Sequence, residues 1–189
     1  MADSKDKPNN PWKTLSTRTV YDNPWIRVRE DQVLRPDGRP GIYGVVHYKN
    51  LAIGVVAIDA EGYVHLVGQH RYPFNKYSWE IPEGGCPEGE DPLDAAQREL
   101  LEETGLQARD WKLLGEGDLS NSVSDERAFW FLATGLEQGE ATPDGTEVLE
   151  RRRVPLAEAL RMIDNGEITD ALSIIALLHY TRLKDSGER

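Results

Sequence analysis

One segment of this chain carries a complete set of helix boundary signals, and it stands between stretches that read as strands. Asp91 occupies the N-cap place, Pro92 the first helical position and Asp94 the first turn, while Gly105 falls just past the end. The signals predict a helix over Pro92–Thr104. Upstream, β-favouring runs recur at residues 18–21, 25–28, 32–34 and 42–48, divided by Asp22-Asn23-Pro24 and Pro36-Asp37-Gly38. They predict a strand meander. Residues 52–57 and 63–67, joined by Asp59-Ala60-Glu61-Gly62, predict a hairpin inside a larger sheet. Downstream, residues 111–115, 128–133 and 147–154 read as strands, the last with the run Arg151-Arg152-Arg153. Residues 155–165 and 170–183 show helical spacing, the second with Ala171, Leu172, Ile174, Ile175 and Leu178 expected on one buried face. The order of elements predicts an α/β fold with a mixed central sheet between helices.

With 189 residues, and roughly 150 per domain, the chain has room for one domain and an appended subdomain. We expect a loose tail over residues 1–15, a β subdomain over 16–49 and the main domain over 50–189. Charges of 22 Lys and Arg against 33 Asp and Glu give −11, a field that repels nucleic-acid backbones and anionic lipid surfaces, so neither is an expected partner. The apolar runs at 51–58 and 128–133 are far too short to span a bilayer, and the N-terminal residues have no apolar run of the export kind. A single cysteine, Cys86, allows no internal disulfide, and His47, His65, His70 and His179 show no zinc-ligand pairing. A cytoplasmic location is expected.

The helix over Pro92–Thr104 carries Arg98, Glu99, Glu102 and Glu103. At about 100° per residue, with Glu99 at zero, Glu102 falls near 300° and Glu103 near 40°, so three carboxylates share one stripe. Leu93, Ala96 and Leu100 lie between about 60° and 120°, which places the stripe at the border of the core. Like charges at these spacings cost a helix roughly 0.2–0.5 kcal/mol per pair, and Arg98, four residues before Glu102, offsets this only in part. A cation is wanted there. Acidic helix faces are most often solvated surface, so the flanking residues decide. Mg²⁺ prefers carboxylate oxygens shared with substrate phosphates. Glu83-Gly84-Gly85, just upstream, can bring bare backbone close to an ion or a phosphate.

Gly84, Glu90, Arg98-Glu99-Leu100, Glu102-Glu103 and Gly105-Leu106 meet all nine positions of a fixed-spacing signature. On these residues the chain resembles the Nudix hydrolases, and over residues 16–183 it is similar to their ADP-ribose pyrophosphatase-like branch, which hydrolyses nucleoside diphosphate sugars. The resemblance implies an α/β/α sandwich with a mixed central sheet, N-terminal antiparallel strands serving a homodimer, and dependence on Mg²⁺ or Mn²⁺. It implies that Glu99, Glu103 and Glu102 hold metal together with the backbone carbonyl of Glu83, and that Arg98 and Glu90 orient those ligands. Gly84 and Gly105 complete the structural box.

The resemblance further implies a general base in Asp125-Glu126-Arg127, with Glu126 placed before Asp125. Arg71, in Gln69-His70-Arg71-Tyr72, matches an arginine that contacts phosphate or ribose, and Trp79 and Glu80 lie between it and the box. Trp25 resembles an aromatic that stacks on the base, whereas Trp12, Trp111 and Trp130 are expected in packing. The branch carries a proline about fifteen residues beyond its box, and Leu119-Ser120-Asn121-Ser122 has none. GDP-mannose, nucleoside triphosphates and dinucleoside polyphosphates therefore stay open as substrates, as does a non-catalytic nucleotide-sugar sensor.

Overall fold

The computed structural model describes residues 9–139 and 149–187. The chain divides into two compact units, residues 1–49 with 120–125 and residues 50–119 with 126–189. In the first unit, β1 (Lys13–Asp22), β2 (Ile26–Leu34) and β3 (Pro40–Tyr48) form an antiparallel sheet in that order. The turn between β1 and β2 closes because Asn23 Oδ1 accepts from the N–H groups of Trp25 and Ile26 at 2.9 and 2.7 Å. β1 takes in residues 13–15, which were expected in the tail, and β2 joins the runs at 25–28 and 32–34 into one strand. The polar residues in its middle do not break it, because Asp31 is buried in an ion pair with Arg29 at 3.2 Å. Residues 120–125 dock along β3, with Val46 N–H donating to the Val123 carbonyl at 2.8 Å and Tyr43 Oη to that of Ser122 at 2.6 Å.

The second unit contains two sheets. In one, β4 (Leu51–Ala57) lies between β7 (Glu83–Cys86), antiparallel to it, and β9 (Arg127–Gln138), parallel to it, with β8 (Leu106–Asp118) beyond β9. In the other, β5 (Tyr63–Arg71) lies between β6 (Lys76–Glu80) and β10 (Glu150–Pro155). The expected hairpin of residues 52–57 and 63–67 is therefore not formed. The turn exists, with Gly62 N–H donating to the Asp59 carbonyl at 3.0 Å, but the two strands join different sheets, and beside the turn they are bridged by an isolated Ile58–Val64 pair and not by a ladder. A continuously apolar strand is suited to a place covered on both faces, and β4 takes its partners from distant segments.

Three helices, α1 (Pro92–Thr104), α2 (Leu156–Asp164) and α3 (Ala171–Ser186), complete the unit. Ile53, Val55 and Ala57 of β4 pack with Ala95, Ala96 and Leu100 of α1, while Val56 packs with Leu172, Ala176 and Leu177 of α3. Gly54 is required there, since a Cβ would press on Ile81 and Leu172. The buried face of α3 is Leu172, Ser173, Ala176 and Leu177, and Ala171, Ile175 and Leu178 face outward instead. A helix whose first two turns are apolar on nearly every side does not announce its inner face by periodicity. A polar contact marks it, because Ser173 Oγ accepts from Ile81 N–H at 3.0 Å. Trp130 is a core residue and Trp111 is half-buried, its indole N–H donating to the Ala108 carbonyl at 3.0 Å. Trp12, 38% exposed, packs edge-on against Tyr43.

Candidate active site

The punctuation of α1 is realised as the sequence predicts. Asp91 accepts from Leu93 N–H at 2.8 Å, and Gly105, in the left-handed region at φ 75°, donates to the Leu101 carbonyl at 2.8 Å. The Glu103 carbonyl, in the last turn of the helix, receives Arg151 Nε–H from β10 at 2.6 Å. The helix is thereby fixed at both ends. Of its carboxylates, Glu99 and Glu103 are buried and Glu102 is half-buried.

β7 passes directly against this stripe. The N–H of Glu83 donates to Glu103 Oε2 at 2.9 Å, and Gly84 lies so near Glu99 that a Cβ would fall on the Glu99 carboxylate. Only glycine permits that approach. Arg98 gathers the remaining acids. Its guanidinium donates to Glu90 at 3.1 and 3.0 Å, to Glu99 at 2.6 Å, to Glu102 at 3.3 Å and to the Gly85 carbonyl at 2.8 Å. The arginine thus offsets more of the stripe's charge than its i,i+4 spacing alone suggests. Its hydrogen bond to Glu90 holds that carboxyl below the usual range.

A second cluster adjoins Glu83. Arg71 donates to Glu80 through Nε at 2.9 and 3.0 Å and through Nη2 at 2.5 Å, and to Glu83 through Nη2 at 2.6 Å. Burial pushes the Glu83 carboxyl well above the ordinary range, and the charges of Asp170 and Glu80 add to it. Burial also raises Glu126, again with a contribution from Asp170. Asp170 escaped the sequence reading, although its signal was present. It caps α3, accepting from Ser173 N–H at 2.6 Å, and a capping acid is easily taken as structural alone.

Asp125, the alternative base, is engaged within the N-terminal unit, its carboxylate 2.7 Å from His47 Nδ1 and accepting from Tyr48 N–H at 3.0 Å. Trp25 belongs to that unit and is 68% exposed. Two expected substrate contacts need correction. Trp79 is a core residue with Arg152 stacked 4.1 Å from its ring centre, and Glu80 is 2% exposed with both oxygens occupied by Arg71. Neither presents a surface to a ligand.

The donor chemistry fits a hard divalent cation, with three carboxylates on one rigid helix and bare glycine backbone beside them. As the side chains stand, Arg98 and the Glu83 N–H hold these groups, and among the described residues no three acidic, His or Cys side chains already converge as a metal cluster.

Comparison with known proteins agrees with this geometry. Residues 48–174 match the NUDIX domain family, and residues 12–46 match the family described as the nucleoside diphosphate sugar hydrolase N-terminal domain. An ADP-ribose pyrophosphatase of Mycobacterium tuberculosis is 35% identical over 170 residues, covering 88% of this chain and 82% of that one. A methanol dehydrogenase activator of Bacillus methanolicus is 32% identical over 176 residues, covering 92% and 94%. The crystal structure of an ADP compounds hydrolase superposes with a TM-score of 0.85 over 97% of this chain and 100% of the other, at 22% identity, a likeness of fold.

Proposed function

Because this chain belongs to the Nudix hydrolase family, we propose that it cleaves the diphosphate bond of nucleoside diphosphate sugars such as ADP-ribose, giving a nucleoside monophosphate and a sugar phosphate. The observation that carries this reading is the capped helix α1, which sets Glu103 against the backbone N–H of Glu83 and Glu99 against Gly84, with Glu102 joined to them through Arg98. The match of residues 12–46 supports a sugar-linked diphosphate over a triphosphate.

Glu99, Glu103 and Glu102, with the Glu83 carbonyl, would hold Mg²⁺ or Mn²⁺, while Arg98 and Glu90 keep the carboxylates in place. When bound, such an ion neutralises the diphosphate and lowers the pKa of the attacking water. Glu126 takes the proton of that water as its oxygen attaches to phosphorus, and the bridging P–O bond breaks with its electron pair leaving on the second phosphate. A carboxyl raised by burial holds a proton better than an ordinary one, which suits this task. Trp25 offers an open indole face for a base.

A homodimer is the proposed assembly. Leu15, Val20 and Ile42 leave apolar surface exposed on the β1–β3 sheet, the kind of surface a second copy covers. We place the protein in the cytoplasm, since a chain whose one cysteine, Cys86, has no internal disulfide partner suits a reducing compartment. One assay panel tests the activity: ADP-ribose, GDP-mannose, a nucleoside triphosphate and a dinucleoside polyphosphate, each with Mg²⁺, Mn²⁺ or chelator. Turnover of the nucleotide sugars alone is expected. Preference for the triphosphate or polyphosphate would replace the substrate, and no turnover of any would favour a sensor.

A further inference from the structure

We infer, on the reading of Glu126 as the base, that His47 and Asp125 form a latch that positions it, so that Asp125 is a positioning residue and not a rival base. Residues 120–125 make the tip of the loop between β8 and β9, and they are docked along β3 inside the N-terminal unit. Their ties to β3 are several. Val46 N–H donates to the Val123 carbonyl at 2.8 Å, Asp125 N–H to the Val46 carbonyl at 3.2 Å and Tyr43 Oη to the Ser122 carbonyl at 2.6 Å, while Ser124 pairs with Val46 as an isolated parallel bridge. Within the tip, the Ser120 carbonyl accepts from Ser124 through its N–H at 3.1 Å and its Oγ at 3.0 Å. A run as small and polar as Ser120-Asn121-Ser122, with no proline, has little of its own to favour one conformation. The ties to β3 set its shape.

The last tie bears on Glu126 directly. Both oxygens of Asp125 are engaged, Oδ1 accepting from Tyr48 N–H at 3.0 Å and Oδ2 lying 2.7 Å from His47 Nδ1. An ionised carboxylate only accepts, so the proton of that contact sits on Nδ1 and His47 is the donor. Asp125 is thus held at its N–H and at both carboxylate oxygens, and the peptide it shares with Glu126 is held with it. On the far side, the Glu126 carbonyl accepts from Leu119 N–H at 3.1 Å, and Arg127 opens β9 opposite Asp118. The backbone is therefore fixed before and after Glu126, which places a base on a supported segment of an otherwise unsupported loop. The side chains of His47 and Asp125 are 43% and 44% exposed, and an exposed pair adds little to stability. Its consequence lies in where it puts the next residue.

His47→Ala, His47→Asn, Asp125→Ala and Glu126→Gln test the latch, with circular dichroism and melting used to show that each variant is folded. The kcat and KM values are measured on ADP-ribose, and Mn²⁺ binding without substrate is followed by the loss of the free-ion electron paramagnetic resonance signal. Misplacing a reacting group by about 1 Å costs on the order of 10²-fold. We expect kcat to fall by about 10–100-fold in His47→Ala and Asp125→Ala, with KM and Mn²⁺ affinity within about twofold of wild type. The amide nitrogen introduced by His47→Asn can stand where Nδ1 stands, so this variant should recover most of kcat. In a Glu126→Gln background, His47→Ala should cost nothing further, because residues on one path are not additive. A wild-type kcat in His47→Ala, no recovery in His47→Asn, a further loss in the Glu126→Gln background, or a change in KM alone overturns the inference. A loss in Asp125→Ala as deep as that in Glu126→Gln, beside wild-type His47→Ala, overturns it in favour of Asp125 as the base. If Asp125→Ala fails to fold, the exposed His47 decides alone through its two variants. Glu126→Gln monitors the premise: a wild-type kcat there overturns the reading of Glu126 and the inference with it, whereas a loss there beside unchanged His47→Ala overturns the inference only.

Discussion

The main-chain N–H of Glu83 donates to Glu103 Oε2 at 2.9 Å, joining the first residue of β7 to a buried carboxylate one residue from the end of α1. The bond ties the start of a strand to the carboxylate face of a helix. A buried carboxylate held by a backbone donor is aimed before any ligand arrives, and such preorganisation is what phosphoryl chemistry requires of a protein.

Glu103→Gln keeps the size of the side chain and an oxygen for the Glu83 N–H, so the fold should persist with a melting temperature close to wild type. Loss of the charge should lower kcat by on the order of 10²–10³-fold. Activity assays beside thermal melts check both halves of the expectation, and full activity would remove Glu103 from the site.

Gly84→Ala forces its methyl group onto the Glu99 carboxylate. The displaced atoms are the far end of a flexible side chain, so stability should fall by no more than about 1 kcal/mol, within the range of ordinary single substitutions. Activity should fall much further, because Glu99 is moved from its place beside Arg98. Denaturant titration compared with kcat separates the two effects.

How much of this was legible in the sequence differs sharply between α1 and α3. Asp91, Pro92 and Gly105 fixed the ends of α1 because capping is local chemistry, written in the residues that perform it. The inner face of α3 was assigned correctly at Leu172 and Ile174 but not at Ala171, Ile175 and Leu178, because apolar side chains surround its first turns, and its marker, the contact of Ser173 with Ile81, spans the chain. The path of β4 and β5 into separate sheets was hidden for the same reason: pairing partners are not local. At the site, the nine box positions were readable, but the enclosure of Arg71 by Glu80 and Glu83 and the effect of the Asp170 charge on Glu126 exist only after folding.

Glu126→Gln should lower kcat by about 10²–10⁴-fold, the usual worth of a positioned general base, with little change in substrate binding. A wild-type kcat would pass the role to another acid, and Glu140, Asp144 and Glu147, which lie outside the described residues, are the next to test. The pH profile adds a signed expectation. Burial and the Asp170 charge raise Glu126, so the acidic limb of kcat should lie above that of an ordinary glutamate. Asp170→Asn removes one of those negative charges while retaining a capping side chain, which favours the ionised form of Glu126. The limb should then move to lower pH, and an unmoved limb would contradict the assignment.

The two ends of α1 should each contribute measurably to stability. Asp91→Ala removes the acceptor for Leu93 N–H and should cost about 1 kcal/mol. Arg151→Ala leaves the Glu103 carbonyl without its donor and should cost on the order of 1–2 kcal/mol. Chemical denaturation read at constant m-value checks both.

The most direct test of the account is incubation of the purified protein with ADP-ribose and Mg²⁺, with products resolved by chromatography. We expect AMP and a sugar phosphate in equal amounts, abolished by chelator and by Glu103→Gln alike. Intact ADP-ribose after prolonged incubation, or turnover that persists in chelator, would contradict it.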